Sequence, residues 1–227
     1  MKKLCAGIAM LMLAAGSLPS SADIIGGVVT GGSAFTAGGT FVKLTVPLAN
    51  PFGPPNSVGN DNFQSPNLYG FDEDQNILLT APLVVNVGAS PIPAGTVVAS
   101  HYIFFDPGPT QEVIGTVTFD SQVLGILTST ETLAASDFLA HTGVNYLNPT
   151  DRGLEAGDSV TISGPDSILF DTVASSPGDY VRVLTAFSPG GAEAAAAPEP
   201  ESVALVGSGL VALAGMLRRR WRQGCKR

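Results

Sequence analysis

The 227-residue sequence has few charged residues and only two cysteines. Charged residues make up 13% of the chain, against about 25% in an average soluble domain. The cysteines lie near the two ends, at Cys5 and Cys225, so residues 23–197 contain no thiol. This stretch therefore has no disulfide, no cysteine nucleophile and no cysteine-based zinc site. Its stability must come from burial, for which a chain of about 150 residues or more is long enough.

Basic residues are scarce in the middle of the chain. Eight of the eleven lie in the first three or the last ten positions. Residues 23–197 hold three basic and 17 acidic residues, which gives a net charge of −14. Because affinity for nucleic acids comes mainly from Lys and Arg that neutralise phosphates, this composition excludes DNA and RNA as partners.

The N-terminus has the parts of a secretory signal peptide. Met1-Lys2-Lys3 precedes an apolar run over residues 4–15, and small residues follow as far as Ala22. The alternative is an uncleaved anchor helix, but twelve apolar residues fall short of the ~20 that span a bilayer. We predict a signal peptide over residues 1–22, cleaved between Ala22 and Asp23.

The C-terminus carries a second export pattern. A linker of small residues and proline, 188–197, leads to Pro198-Glu199-Pro200, an apolar run over residues 203–217 and a basic tail over 218–227. The run predicts a short transmembrane helix that arginine stems can extend by snorkelling. The tail holds the arginines Arg218, Arg219, Arg220 and Arg222. The positive-inside rule keeps these arginines in the cytoplasm, so the chain before residue 203 lies outside it.

This three-part tail, residues 198–227, closely resembles the PEP-CTERM sorting signal of Gram-negative bacteria. The resemblance implies that an inner-membrane exosortase, a cysteine transpeptidase, recognises Pro198, Glu199 and Pro200 and cuts near them. The protein would then reach the cell surface or the extracellular matrix. The same tail is sometimes labelled the C-terminal domain of ice-binding proteins, which is no evidence of ice binding. The alternative is a plain C-terminal anchor without processing.

Short apolar, β-branched segments separated by turns fill residues 23–187, while residues 50–66 form a long loop in this prediction. The predicted strands cover residues 41–46, one or two segments within 77–87 broken at Pro82, 96–105, 112–119, 123–127, 159–162, 167–172 and 179–187. In the strand over residues 112–119, the residues on one face are Val113, Gly115, Val117 and Phe119. The pattern predicts an all-β domain over residues 23–187, an antiparallel β-sandwich or jelly roll.

One short helix is predicted over residues 128–140. Thr128-Ser129-Thr130-Glu131 matches a capping box, and Leu133, Ala134 and Phe138 recur at helical spacing. Two further blocks, 68–76 and 153–160, resemble segments of secreted, sorting-tagged bacterial proteins of unknown function, a likeness that implies no activity.

The densest acidic cluster is the best candidate for a metal site. Asp72, Asp74 and Asn76 place side-chain oxygens at alternate positions, and Ca²⁺ prefers six to eight such ligands. The EF-hand loop is excluded, because Ile77 stands where it needs glycine and Leu83 where it needs glutamate. A structural calcium site remains one interpretation, and a solvated turn between strands is the other; no other cofactor is predicted.

Catalytic patterns are weak. Asp151, Glu155 and Asp158 could include a pair of carboxylates for glycoside hydrolysis, but such residues are also common in turns. His101 and His141 could meet in space, or one could be a strand histidine and the other a histidine at a helix end. No nucleophile elbow, zinc-protease motif or phosphate loop occurs, so we predict that the protein is not an enzyme.

Carbohydrate is the ligand class that needs consideration, because exosortase systems accompany exopolysaccharide. Sugars stack on aromatic rings, but the only tryptophan, Trp221, lies in the basic tail. Phe63, Tyr69 and Phe71 remain as a platform, or pack in the core. We therefore expect an exported cell-surface or matrix protein whose partners are the exosortase, the secretion machinery, the inner membrane before processing and exopolysaccharide. The alternative is a carbohydrate-binding module, assisted by calcium or not.

Overall fold

The turn-separated apolar segments form two facing β-sheets in the computed structural model, which describes residues 22–186. The strands are β1 Ile24–Gly31, β2 Phe41–Lys43, β3 Ser57–Val58, β4 Leu68–Asp72, β5 Ile77–Leu78, β6 Val87–Gly88, β7 Val97–Phe105, β8 Gln111–Phe119, β9 Val123–Leu127, β10 Asn145–Tyr146, β11 Ser159–Gly164, β12 Ser167–Ala174 and β13 Asp179–Ala186. The helices are α1 Gly32–Thr36, α2 Thr130–Ala135 and a 3₁₀ helix Asp137–Leu139.

The smaller sheet has four antiparallel strands in the order β1-β8-β12-β11. The larger sheet has the order β2-β4-β7-β13-β9-β6, with β5 also paired to β7. The all-β, sandwich-like prediction is thereby confirmed, while the jelly-roll arrangement stays a prediction. Two pairs, β2–β4 and β3–β10, run parallel, which departs from a purely antiparallel arrangement.

Alternation along β8 determines which residues enter the space between the sheets. Val113, Val117 and Phe119 are fully buried there, as the period-2 pattern predicts. Gly115 shares this face and leaves room for a neighbour, because an added Cβ would lie 2.9 Å from Leu68 Cδ2.

The larger sheet is buried on both faces. Nearly every residue of β7 and β13 is inaccessible, so a further layer must cover the side away from the smaller sheet. That layer consists of loops, α2 and the 3₁₀ helix, and we call the side it covers the loop face. The opposite side is the sandwich face. The aromatic residues of the loop-face core are Phe63, Tyr69, Phe71, Tyr102, Phe104 and Tyr180.

The helix predicted over residues 128–140 is shorter than expected and begins two residues later, at Thr130. Ser129 is the N-cap and exchanges hydrogen bonds with Thr132, so the capping box does not run from Thr128 to Glu131. The inward residues are Leu133, Ser136 and Leu139, whereas Ala134 and Phe138 are exposed. The helix stops at Ala135 because the Leu133 carbonyl accepts hydrogen bonds from the Arg182 guanidinium and the Ser136 hydroxyl instead of continuing the helical ladder.

Four strands lie where the sequence predicted none, namely β1, β3, β4 and β10, and β3 interrupts the predicted loop over residues 50–66. β1 forms in a stretch rich in Gly, Ser and Thr, because Gly27 lets the ring of Phe41 pack against the backbone; an added Cβ would lie 2.5 Å from Phe41 Cγ. β4 forms within residues 68–76, a block with a likeness to secreted bacterial proteins but with no predicted strand. Conversely, residues 77–87 contain only the two-residue strand β5 and the first residue of β6.

The predicted signal sequence up to residue 21, the linker and the sorting tail lie outside the described residues. Within residues 22–186, no helix has the length and hydrophobicity needed to cross a membrane.

Candidate functional site

A buried ion pair occupies the centre of the loop face. Arg182 on β13 and Glu73, which follows β4, both have side chains without exposed surface. Arg182 Nε donates to Glu73 Oε2 at 2.6 Å and Nη2 donates to Oε1 at 2.9 Å. This two-point geometry is the strong form of an arginine–carboxylate contact.

Two neighbouring hydroxyls also donate hydrogen bonds to the Glu73 carboxylate. The hydroxyl of Ser100 donates to Oε2 and that of Tyr146 donates to Oε1, both at 2.6 Å. Burial and the Glu73 charge raise the pKa of Tyr146, so its proton stays in place. Burial alone would lower the pKa of Arg182, but Glu73 outweighs it and holds that pKa above its ordinary value. Every charge in this cluster is therefore matched, as burial requires.

The network continues from Arg182 to the surface. Arg182 Nη1 donates to the Ser136 hydroxyl at 2.5 Å and reaches Asp137 Oδ1 at 3.5 Å. Arg152 then binds Asp137 with two hydrogen bonds, at 2.8 and 2.6 Å. The Asp137 side chain is 46% exposed, whereas that of Arg152 is 3% exposed. Asp137 thus links the buried pair to solvent.

A pocket with both polar and apolar residues in its wall opens at this outer end, with a volume of about 410 Å³. Its lining includes Asp137, His141, Tyr146 and Arg152. The Tyr146 hydroxyl accepts a hydrogen bond from the His141 backbone N–H and donates one to Glu73, so the pocket wall is connected to the buried pair. Arg152 Nε is buried and has no hydrogen-bond partner. We call this the polar pocket.

The orientation of His141 is fixed by its own turn. Its Nδ1 accepts a hydrogen bond from the Gly143 N–H at 2.9 Å, which places the ring proton of the neutral form on Nε2. Burial and Glu73 raise the pKa of nearby Asp74, with His141 acting in the opposite direction. The polar pocket therefore offers both donors and acceptors.

A second concavity, of about 500 Å³, lies beside α2 and is mainly apolar. Pro82, Leu83, Val84, Ala135 and Phe138 contribute to it. Val84 and Phe138 are each more than half exposed, so this groove presents apolar surface to solvent.

A second polar cluster lies on the sandwich face, around Asp72. Asp72 Oδ2 pairs with Lys43 Nζ at 2.7 Å, and Oδ1 accepts hydrogen bonds from His101 Nδ1 at 2.7 Å and the Ile24 N–H at 3.0 Å. Burial raises the pKa of Asp72, but His101 and Lys43 outweigh it and the net shift is downward. His101 Nε2 contacts the Thr185 hydroxyl at 3.0 Å.

Thr185, His101 and Asp72 thus form a hydroxyl–imidazole–carboxylate chain, the order found in nucleophilic catalytic triads. Neither Thr185 nor His101 has exposed surface, and the imidazole packs against Phe119 with a centroid distance of 4.9 Å. A nucleophile must contact its substrate, so this chain serves packing in the described conformation.

The structure separates the three residues of the predicted calcium site. Asp72 faces the sandwich and is bonded to Lys43 and His101, whereas Asp74 lies towards His141 on the other face. Asn76 adopts a left-handed backbone, with φ of 57°. Among residues 22–186, no three His, Cys, Asp or Glu side chains group closely enough to suggest a metal site. The calcium interpretation at these residues stays a prediction.

The histidines also lie apart. His101 is buried on the sandwich face, while His141 lines the polar pocket beside the loop face. They share no hydrogen-bond partner in the contacts described above: His101 lies on β7 and is fully buried, and His141 lies two residues after the 3₁₀ helix.

The acidic residues Asp151, Glu155 and Asp158 do not surround Arg152 as expected. Arg152 points to Asp137, and Asp158 accepts a hydrogen bond from the Val173 N–H at 2.8 Å. This contact is typical of a turn carboxylate that caps a neighbouring strand.

The three aromatic residues considered as a sugar-binding platform do not lie on the surface. Phe63, Tyr69 and Phe71 are at most 7% exposed. Phe63 and Tyr69 lie 4.8 Å apart, and both pack against Phe104. These rings form the loop-face core and cannot stack on a ligand from outside.

All three basic residues of the described range are used in internal pairs. Lys43 pairs with Asp72, Arg152 with Asp137, and Arg182 with Glu73. The remaining surface charge is therefore acidic. Such a surface repels polyanions and attracts cations.

Sequence patterns alone did not identify Arg182, Asp137 and Tyr146 as members of one network. One signal was available: Arg182 interrupts the apolar run of β13 at a position that alternation places inside, and a buried arginine needs a carboxylate partner. The choice of Glu73 required knowledge that β7 lies between β4 and β13.

The predicted cleavage point lies at the start of the described residues. Ala22 is buried, and the Asp23 N–H donates to Asp120 Oδ1 at 3.0 Å. The sorting residues Pro198, Glu199 and Pro200, and the arginines that follow them, lie outside the described part of the chain. No family model, curated protein or solved structure matches the chain.

Proposed function

We propose that this chain is an exported cell-surface or matrix protein, without catalytic activity of its own, that an exosortase processes at its PEP-CTERM-like tail. The observation that carries the proposal is the sequence of the two ends, which independently predict one topology across the inner membrane. We also propose that the β-sandwich has the jelly-roll arrangement.

The described domain supports this proposal in its charge distribution. With its basic side chains paired internally, the domain presents an acidic exterior, which suits a soluble module among anionic polymers rather than one that binds them by charge. The one triad-like chain, from Thr185 to Asp72, has no access to solvent at its nucleophile or base.

Local geometry at Asp23 supports cleavage before that residue. The Asp23 nitrogen lies 3.0 Å from the Asp120 carboxylate. After cleavage this nitrogen becomes a charged α-amino group with further donors, so the existing hydrogen bond becomes an ion pair.

The proposal is tested by replacing Pro198, Glu199 and Pro200 with alanine. We expect the variant to accumulate in the inner membrane, because the exosortase no longer recognises the tail. A matched control replaces Pro189, Gly190 and Gly191 of the linker with alanine and is released normally. Release of the first variant at the control level contradicts the proposal, and mass spectrometry of the released protein locates both mature termini.

A carbohydrate-binding function is the second candidate, and the polar pocket is the observation that favours it. Tyr146 offers a half-buried ring beside Asp137 and His141, a combination suited to sugar hydroxyls. A glycan array with the wild type and His141→Ala tests it. Binding that His141→Ala reduces supports the candidate; no binding by the wild type removes it.

A further inference from the structure

Two carboxylates with buried, unsatisfied oxygens lie at one end of the larger sheet. Asp106 directly follows β7 and has no exposed surface. Its Oδ2 accepts a hydrogen bond from the Phe63 N–H at 3.0 Å, and its Oδ1 has no partner. Asp61 precedes β4; its Oδ2 accepts from the Ser176 hydroxyl at 2.5 Å, and its Oδ1 is buried without a partner. Native structures rarely leave such atoms unsatisfied unless an ion or water fills the place.

Backbone geometry holds the two acids near each other. Gly59, Asn60 and Asp61 all have left-handed backbones, with φ of 97°, 58° and 58°, which makes a tight turn. The turn before β13 closes over the same place, because a Cβ on Gly178 would lie 3.1 Å from Asp106 Cα. Asp61 contacts the Ser176 hydroxyl of that same turn, so both carboxylates border the turn that precedes β13.

Nothing in the described chain neutralises this pair. Lys43, Arg152 and Arg182, the basic residues of residues 22–186, are bonded elsewhere. The Tyr180 hydroxyl lies within hydrogen-bonding reach of Asp106 and donates to the Pro177 carbonyl, but a neutral hydroxyl supplies no positive charge. An uncompensated pair of buried anions is costly, and a divalent cation removes that cost.

We propose that Asp61 and Asp106 bind a calcium ion through their two unsatisfied oxygens. Calcium accepts carboxylate, carbonyl and water oxygens in flexible geometry. Two carboxylates place the affinity in the range of about 10⁻⁴–10⁻³ M that is typical of extracellular modules. Occupancy in the cell depends on the proposed export, because calcium at that level occurs outside, whereas binding by the purified protein does not depend on it.

Thermal unfolding of the full-length chain in detergent tests the site. After treatment with EDTA and dialysis at pH 7.5, added CaCl₂ should raise Tm by about 5–10 °C when it exceeds Kd about one hundredfold. Asp61→Asn and Asp106→Asn should each remove this rise. Asp74→Asn is the matched control, since it alters the calcium site predicted from sequence and should keep the rise. NaCl at equal ionic strength controls for screening.

Three results would overturn the proposal: a wild-type Tm indifferent to calcium, a full rise in Asp61→Asn, or a rise that only Asp74→Asn removes. If Asp106→Asn fails to fold, Asp61→Asn decides, because Asp61 is only half-buried. If the site holds a protonated carboxyl and no metal, a different pattern is expected. Asp106→Asn would then raise Tm in EDTA, and calcium would have no effect on the wild type.

Terbium provides a direct probe. Tyr180 faces Asp106, so Tb³⁺ bound there should luminesce on tyrosine excitation, and excess Ca²⁺ should quench the signal. Loss of this luminescence in Asp61→Asn supports the site, and its persistence contradicts it. Failure of export leaves this result unchanged, so the two proposals fail separately.

Discussion

Buried carboxylates occur in two regions of this protein, and their surroundings differ. Next to β4, Glu73 and Asp72 are bonded to Arg182 and Lys43. At the end where β13 begins, Asp106 and Asp179 each have a buried oxygen without a hydrogen-bond partner. The pKa of Asp72 is accordingly lowered, while burial raises that of Asp179 to about 7. Burial alone therefore does not determine the ionisation of an acid; the nearest cation does.

Strand order explains where the cations are. β7 lies between β4 and β13, and Arg182 is paired in register with Tyr102. A long arginine side chain can cross one strand and reach Glu73 on the next, passing the Tyr102 ring at 5.8 Å. With three basic residues in the described domain and all of them used near β4 or the polar pocket, none remains for Asp179.

The largest loss of stability is expected when one partner of the buried Arg182–Glu73 ion pair is removed. Arg182→Met leaves Glu73 buried without a cation and should lower the free energy of unfolding by about 3–5 kcal/mol. Denaturant unfolding of the variant measures this loss. The double variant Arg182→Met with Glu73→Gln should lose less, because the uncompensated charge is gone.

Lys43→Met is the matched control for Arg182→Met. The Lys43 side chain is 35% exposed, so its removal should cost about 0–1 kcal/mol and the cost should shrink in salt. Equal losses for Arg182→Met and Lys43→Met would mean that burial does not distinguish the two pairs.

Sequence patterns predicted the regular parts of the fold and not the network. Periodicity placed Val113, Val117 and Phe119 on the buried face of β8, since alternation depends only on neighbours in the chain. The contact of Arg182 with Glu73 joins residues 109 positions apart and depends on strand order. The predicted end of the helix was wrong for the same reason, because the Leu133 carbonyl accepts a hydrogen bond from Arg182 rather than from a further helical turn.

Substitution of Asp179 should stabilise the protein, whereas substitution of Arg182 should destabilise it. Its pKa is raised to about 7 by burial and, less strongly, by Asp158, so the folded state holds its proton more tightly than the unfolded state, where the ordinary value is 3.8. Stability therefore falls as pH rises from about 4 to 7. Asp179→Asn removes this penalty and should stabilise the protein by about 2–3 kcal/mol at pH 8 and by nothing near pH 4.

Unfolding by urea at the two pH values measures the difference between Asp179→Asn and wild type. Asp151→Asn, at an exposed position, should match wild type at both. A gain from Asp179→Asn that is equal at pH 4 and pH 8 would show that the amide stabilises by packing and that the titration is irrelevant.

Asp72→Asn is expected to have a smaller effect than Asp179→Asn, and one of opposite sign. Its folded pKa lies below the ordinary value of 3.8, so its contribution is present above pH 3.8 and is lost as pH falls through the folded pKa. Asp72→Asn keeps the shape and removes the charge, and should cost about 1–2 kcal/mol at pH 7. The cost should decrease towards pH 2–3, measured by urea unfolding. Because Asp179→Asn changes stability in the opposite direction at high pH, a shared sign for the two variants at pH 8 would mean that Lys43 and His101 do not set the ionisation of Asp72.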